Sequence, residues 1–317
     1  MTGLWPKGRI ARNEAKWFYI FIGPWIIGFI FFTAGPVIGS LLLSFTKFNV
    51  AEPPQWVGLG NYSQLFADRI FFKSLQVTSY YTLLAVPLGI VTSLLIAVLL
   101  NQNVPFLGVY RTIFYIPALI AGGVAMALLF QWILNPQFGL VNYFISVIVG
   151  PNGIIPLGIV GPRWLIDQNW VIPSLVLMSV WGFGGTMLIY LAGLQGVPTT
   201  LYEAATIDGA NSWQKFRYIT VPMLSPVILF TTITGVIGSF QVFTPAYIVS
   251  GGNGSPNYAS MFYVLYLYLN AFQRYRFGLA AAQAWILFLI IMLLTYFLLR
   301  TSRRLVYYES PGDEKML

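Results

Sequence analysis

Residues 201–222 read LYEAATIDGANSWQKFRYITVP, and the rest of the chain is organised around them. This is a long island of mixed polar and apolar residues between two strongly apolar segments. Its pattern predicts two short helices with a tight turn between them. Thr200 stands three residues before Glu203, the spacing of a capping box that would open the first helix. Asp208-Gly209 then supplies turn chemistry that a continuing helix resists. Asn211 or Ser212 caps the second helix, where Trp213, Phe216 and Ile219 recur at a spacing that places them near one face. Pro222 marks where the next helix begins or kinks. A unit of this kind, held at the end of apolar spans, is a surface for something else to grip.

Outward from this island the chain is apolar. Of 317 residues, 57% are hydrophobic and 8% charged, whereas a soluble domain carries about 25% charged residues. The composition is that of a membrane protein. No cysteine and no histidine occurs, which removes disulfides, thiol nucleophiles, imidazole bases and the common zinc ligands. The net charge of +8 does not call for nucleic acid, because the basic residues sit at the ends of apolar spans.

Six uncharged stretches are long enough to cross about 30 Å of hydrocarbon: 17–45, 75–100, 112–134, 170–195, 223–250 and 277–299. The first is too long for a signal-peptide core, and Gly35-Pro36 is expected to kink it. Val141 to Val149 is too short to span and reads as an interfacial helix or packed loop. Met261 to Phe272, rich in tyrosine, invites the same reading. An even number of spans puts both termini on one side. Lys7, Arg9, Arg12, Lys16, Arg111, Lys215, Arg217, Arg300, Arg303, Arg304 and Lys315 would share that side, against Lys47, Arg69, Lys73, Arg163, Arg274 and Arg276 on the other. The larger set marks the cytoplasm. The expected organisation is an irregular cytoplasmic tail over 1–16, a six-span domain over 17–300 with a cytoplasmic loop at 199–222, and a cytoplasmic tail over 301–317.

The island also resembles a family motif. Glu203-Ala204-Ala205, Asp208-Gly209-Ala210, Phe216, Ile219 and Pro222 are similar to the EAA loop of permease subunits of binding-protein-dependent ABC importers. Val221 departs from the leucine more usual before the proline. Further stretches match the sugar-transporting branch in order and spacing: Trp56 to Tyr62, Arg111 to Pro117, Asn135-Pro136 through Asn142, Leu191 to Pro198, Ser239 to Phe243, and Phe277-Gly278. The resemblance runs from about residue 17 to 308. It implies an all-α polytopic permease fold, a bacterial inner-membrane location, and a coupling helix docked in a cleft of a cytoplasmic ATPase. It also implies a second related permease subunit, two ATP-binding subunits that hold ATP and magnesium, and an extracytoplasmic sugar-binding protein.

Two negative features sharpen this. Gly251 to Pro256 is glycine-rich but lacks the Gly-Lys-Ser/Thr ending of a phosphate loop, and no Gly-Lys pair occurs anywhere. It reads as a flexible turn, and ATP would have to be bound by a partner. The six stretches also contain no Asp, Glu, Lys or Arg, which argues against a proton-driven carrier. They do contain Gln131, Trp132, Trp181, Gln195, Gln241, Tyr247 and Gln283. Neutral amides and rings of this kind suit a sugar, although glutamines also join helices by hydrogen bonds. Gln241, Phe243, Tyr247, Trp181 and Gln131 are the expected substrate-path residues, Gln241 foremost. A permease for another solute, such as glycerol phosphate or a polyamine, and an autonomous carrier or channel are the competing readings.

Overall fold

The computed structural model describes residues 8–102, 105–120, 122–151, 153–302 and 306. Lys7, Arg303, Arg304 and Lys315, and with them most of the two expected tails, lie outside the described residues. Residues 9–16 are not irregular. They open the helix Arg9–Phe29, which continues through a π turn at Ile30–Ala34 into Gly35–Ser44. The Gly35 amide reaches back five residues to the Ile30 carbonyl. The expected kink at Gly35-Pro36 is therefore a widened turn, which makes room for the proline without ending the helix.

The described chain forms two compact units. One contains the chain up to Ala67 with Leu269–Ile286, and the other contains Asp68–Tyr268 with the chain from Leu287 onward. In the first unit the end of the first span is fastened by the Trp56–Tyr62 segment. The Asn61 amide donates to the Ser44 and Thr46 carbonyls, both at 2.8 Å, and the Ser44 and Tyr62 hydroxyls lie 2.8 Å apart. Thr46–Lys47 pairs antiparallel with Gln55–Trp56, a small β exception to an otherwise helical chain. A Cβ on Gly278 would lie 1.9 Å from the Thr46 carbonyl oxygen, so only glycine fits there. Gln283 is fully buried in this unit and accepts from the Asn270 amide at 3.1 Å. That is a helix-joining bond.

The second unit is built on the helix Arg69–Leu100, N-capped by Asp68, whose carboxylate accepts from the Ile70 amide at 2.8 Å. Its buried hydroxyls are satisfied locally: Ser74 donates to Phe71 O, Thr78 to Ser74 O and Thr82 to Thr78 O. Further along, Leu94, Ala97 and Leu100 pack against Met187, Tyr190, Leu191, Leu194 and Leu224 in one buried cluster. Tyr190 and Thr231 share a hydrogen bond inside it.

Among the described residues four helices are long and apolar enough to cross a membrane, and up to six if each of two bent pairs is one span. Leu107–Ile120 and Val124–Ile133 meet at 103°, and Val171–Trp181 and Gly184–Gln195 at 49°. These lie where the six spans were expected. The break positions were not anticipated, because an uninterrupted apolar run has no polar face whose periodicity could betray a bend. The fifth span is also interrupted: Ser225–Phe240 ends at Gln241, and Thr244–Val249 follows. Leu140–Val149 is the expected short apolar helix.

The interfacial reading of Met261 to Phe272 is overturned; the segment is packed, with a helix at Tyr263–Tyr268 in place of a loop. Met261, Phe262, Tyr263, Leu265 and Tyr266 are among the most buried side chains. Tyr263 packs edge-on against Phe71, Phe262 against Tyr81, and the Tyr263 amide donates to the Thr78 hydroxyl at 2.9 Å. Tyrosine at a membrane boundary and tyrosine in a protein core look alike in composition. Gly251 to Pro256 is a turn, as expected, with the Ser255 amide donating to the Asn253 side chain.

Candidate functional site

The 199–222 loop consists of the helix Thr199–Ile207, a turn, and a second helical segment from Ser212 that passes through a π turn at Phe216–Thr220. The expected capping box at Thr200 and Glu203 does not form. Pro198 occupies the N-cap with extended backbone and makes no side-chain cap, so Thr200 already lies inside the helix. The turn has a specific geometry. The Ala210 amide donates to Ala205 O at 2.8 Å and the Gly209 amide to Thr206 O at 3.1 Å, while Gly209 stands at φ +76°. These are the two bonds of a Schellman motif, which needs a left-handed residue at the Gly209 position. A capping box does open the second helix, at Asn211: Gln214 N donates to Asn211 Oδ1 at 2.9 Å, and Asn211 N to Gln214 Oε1 at 2.7 Å.

The nine motif residues divide by environment. Glu203, Ala204, Asp208 and Gly209 are exposed, and Ala205, Ala210, Phe216, Ile219 and Pro222 are half-buried. Among the described residues the carboxylates of Glu203 and Asp208 have no hydrogen-bond or ion-pair partner. Phe216 packs onto the buried cluster of Leu194 and Leu224, with Trp213 stacked on it at 5.6 Å. The loop is thus rooted in the helix core by its second half and presents its first half and its turn outward. Ile207 beside that turn is 87% exposed. It was missed from the sequence, where an apolar residue at a helical spacing is read as facing inward.

The expected path residues are partly gathered. A cleft of about 360 Å³ is lined by Gln241 and Phe243 together with Tyr81, Met126, Met178 and Ser179. Gln241 is exposed and sits at the break of the fifth span, not within its helix. The break frees its side chain from the helical stripe. Phe243 and Tyr247 lie 5.4 Å apart and both contact Tyr268, at 5.0 and 5.6 Å. Tyr268 was not anticipated, since more than twenty residues separate it from its partners. Gln131 and Trp181 lie outside the cleft lining. The Gln131 amide donates to Ile248 O at 3.0 Å, and Trp181 packs edge-on against Phe130. A wider surface cleft of about 520 Å³ borders Asn142. The Asn142 side chain is committed there to Pro136 O, Pro162 O and the Trp164 indole, a structural duty.

Residues 78–306 match the model of the binding-protein-dependent transport system inner membrane component family. The chain belongs to this family. The probable ABC transporter permease protein YesP of Bacillus subtilis (strain 168) is 40% identical over 97% of each chain. The lactose transport system permease protein LacF of Rhizobium radiobacter is 32% identical over 90% of this chain and 95% of that one. In fold the chain is similar to a subunit of a bacterial ABC transporter involved in the import of the acidic polysaccharide alginate, with a TM-score of 0.79 and 24% identity over 95% of this chain and 100% of that one. The protein is therefore an inner-membrane permease component with several membrane-crossing helices.

Proposed function

We propose that this permease forms half of the translocation path of an ATP-driven importer for a sugar or oligosaccharide delivered by an extracytoplasmic binding protein. A second, related permease supplies the other half, and two cytoplasmic ATPase subunits bind ATP and magnesium. The loop 199–222 docks on one ATPase. The observation that carries this reading is the loop itself: a Schellman-closed turn with Phe216 seated in the core and, outside, the carboxylates of Glu203 and Asp208, unpartnered among the described residues. Fixed backbone at the tip and a buried root are what a contact needs if partner movement is to reach the membrane helices. The membrane path then has two alternative states, and the ATPases and the binding protein both bias the balance between them.

The neutral, aromatic surroundings of Gln241 support a hydroxyl-rich solute, and the lactose-transport relative supports a sugar. Reconstituting the permease pair with its ATPases and binding protein in proteoliposomes tests the whole reading. ATP-dependent uptake of an oligosaccharide that the binding protein retains is the expected result. Uptake without the ATPase subunits, or a binding protein that retains only non-sugar solutes, would contradict it.

A further inference from the structure

Four residues of the 199–222 loop close a hydrogen-bonded ring. The Lys215 ammonium donates to Thr206 Oγ1 at 2.7 Å, and the Thr206 hydroxyl donates to the Tyr202 carbonyl at 2.6 Å. In the other direction, Tyr202 Oη and Thr220 Oγ1 lie 2.9 Å apart, and the Thr220 hydroxyl donates to the Lys215 carbonyl at 3.4 Å. A hydroxyl carries one proton, and these assignments use each once: Thr206 accepts from lysine and donates to Tyr202, and Thr220 accepts from tyrosine and donates to Lys215. The circuit starts and ends on the same two residues. It ties the first helix to the second across Gly209, whose surroundings are open space, and across the π turn where the Val221 amide reaches back to Phe216 O. Thr220 is only 5% exposed, so the ring reaches from the loop surface into the packed base.

We infer that this ring stiffens the two-helix loop into one lever, with Tyr202 and Thr220 as positioning residues that let a push at the turn reach the membrane helices. Two helices joined through a left-handed residue can hinge there. The Schellman bonds fix the turn locally, but they do not set the angle between the helices further down. The Tyr202–Thr220 bond does, because it joins the first helix to the residue just before the Val221-Pro222 segment. With the bond present, displacement at Ile207 and Asp208 is carried to Phe216 and the core behind it. Without it, part of the displacement is absorbed as bending at Gly209.

The inference rests on the proposal that this loop docks an ATPase, and the experiment keeps the two apart. The full complex, reconstituted in proteoliposomes, is compared with Tyr202→Phe, Thr220→Val, their double variant and Thr220→Ser. ATPase association, binding-protein-stimulated hydrolysis and solute imported per ATP are read together. Each of Tyr202→Phe and Thr220→Val should lower solute per ATP by roughly two- to tenfold, the factor associated with one neutral hydrogen bond, with association unchanged. The double variant should be no worse than Thr220→Val alone, because that substitution already removes the bond that Tyr202→Phe removes. Thr220→Ser, which keeps the hydroxyl, should restore import per ATP. Unchanged import per ATP in both single variants, deficits that multiply in the double, or loss of association would each overturn the lever. An Ile207→Asp permease that still binds the ATPase fully would sink the docking proposal itself.

Discussion

The Ala210 amide donates to the Ala205 carbonyl at 2.8 Å, reaching over Gly209, which stands at φ +76°. An added Cβ at Gly209 meets nothing within 4 Å, so the cost of a side chain there is conformational alone. Left-handed backbone costs an L-residue about 1–2 kcal/mol. Gly209→Ala should therefore weaken coupling of ATP hydrolysis to import without blocking membrane insertion. Gly209→Asn, which tolerates this region better, should be milder. Equal, undiminished coupling in both variants would remove the turn geometry from the account.

Thr78 offers a stability test far from the loop. Its hydroxyl is fully buried, donates to Ser74 O and accepts from the Tyr263 amide at 2.9 Å. Thr78→Val keeps the shape but takes that acceptor from a buried amide, which costs about 1–3 kcal/mol. Thermal unfolding of the purified protein should begin a few degrees lower, and Thr78→Ser should recover most of the loss. An unchanged midpoint for Thr78→Val would show that the bond contributes little.

Much of this was legible in the sequence, and the failures have physical reasons. The Asp208-Gly209 turn was readable because few residues enter left-handed backbone cheaply. The spans were readable because burying charge in lipid is costly, so charge is left out of them. The Thr200–Glu203 box was misread because its spacing is common, and the N-cap falls on Pro198, two residues too early for Thr200 to cap the helix. The asparagine alternative at the second helix was correct, with Gln214 as the unforeseen partner. Tyr81, Met126, Met178, Ser179 and Tyr268 join the region around Gln241 only through the packing of distant helices, which local patterns do not encode. The widened turns before Pro36 and Pro222 are also tertiary accommodations. A proline in an apolar run says only that a helix is strained there.

Gln241 tests the path. It lines the 360 Å³ cleft and is released from helical constraint by the break after Phe240. Gln241→Leu should assemble normally and slow transport by the equivalent of one neutral hydrogen bond, about 0.5–1.5 kcal/mol. The loss should vary with the solute across a series of related sugars. Identical kinetics across that series would return Gln241 to a packing role.

Sidedness can be read directly, because the chain has no cysteine. Ser212 and Asn253 are both exposed. Single cysteines introduced at these positions should react with an impermeant thiol reagent from opposite faces of the membrane, Ser212→Cys from the cytoplasmic face. Reaction from one face alone would rule out the six-span arrangement.

Docking of the 199–222 loop on an ATPase is read out at Glu203. Its carboxylate caps no helix and has no partner among the described residues, so Glu203→Gln leaves the loop's own bonds intact. A charge-assisted hydrogen bond is about twice as strong as a neutral one, and losing the charge should cost about 1–1.5 kcal/mol. The measurement is the affinity of the reconstituted permease pair for its ATPase, together with hydrolysis in the presence and absence of solute-loaded binding protein. Association should weaken about five- to tenfold, with a matching loss of stimulated hydrolysis and membrane insertion unaffected. Full association and full stimulation by Glu203→Gln would contradict it.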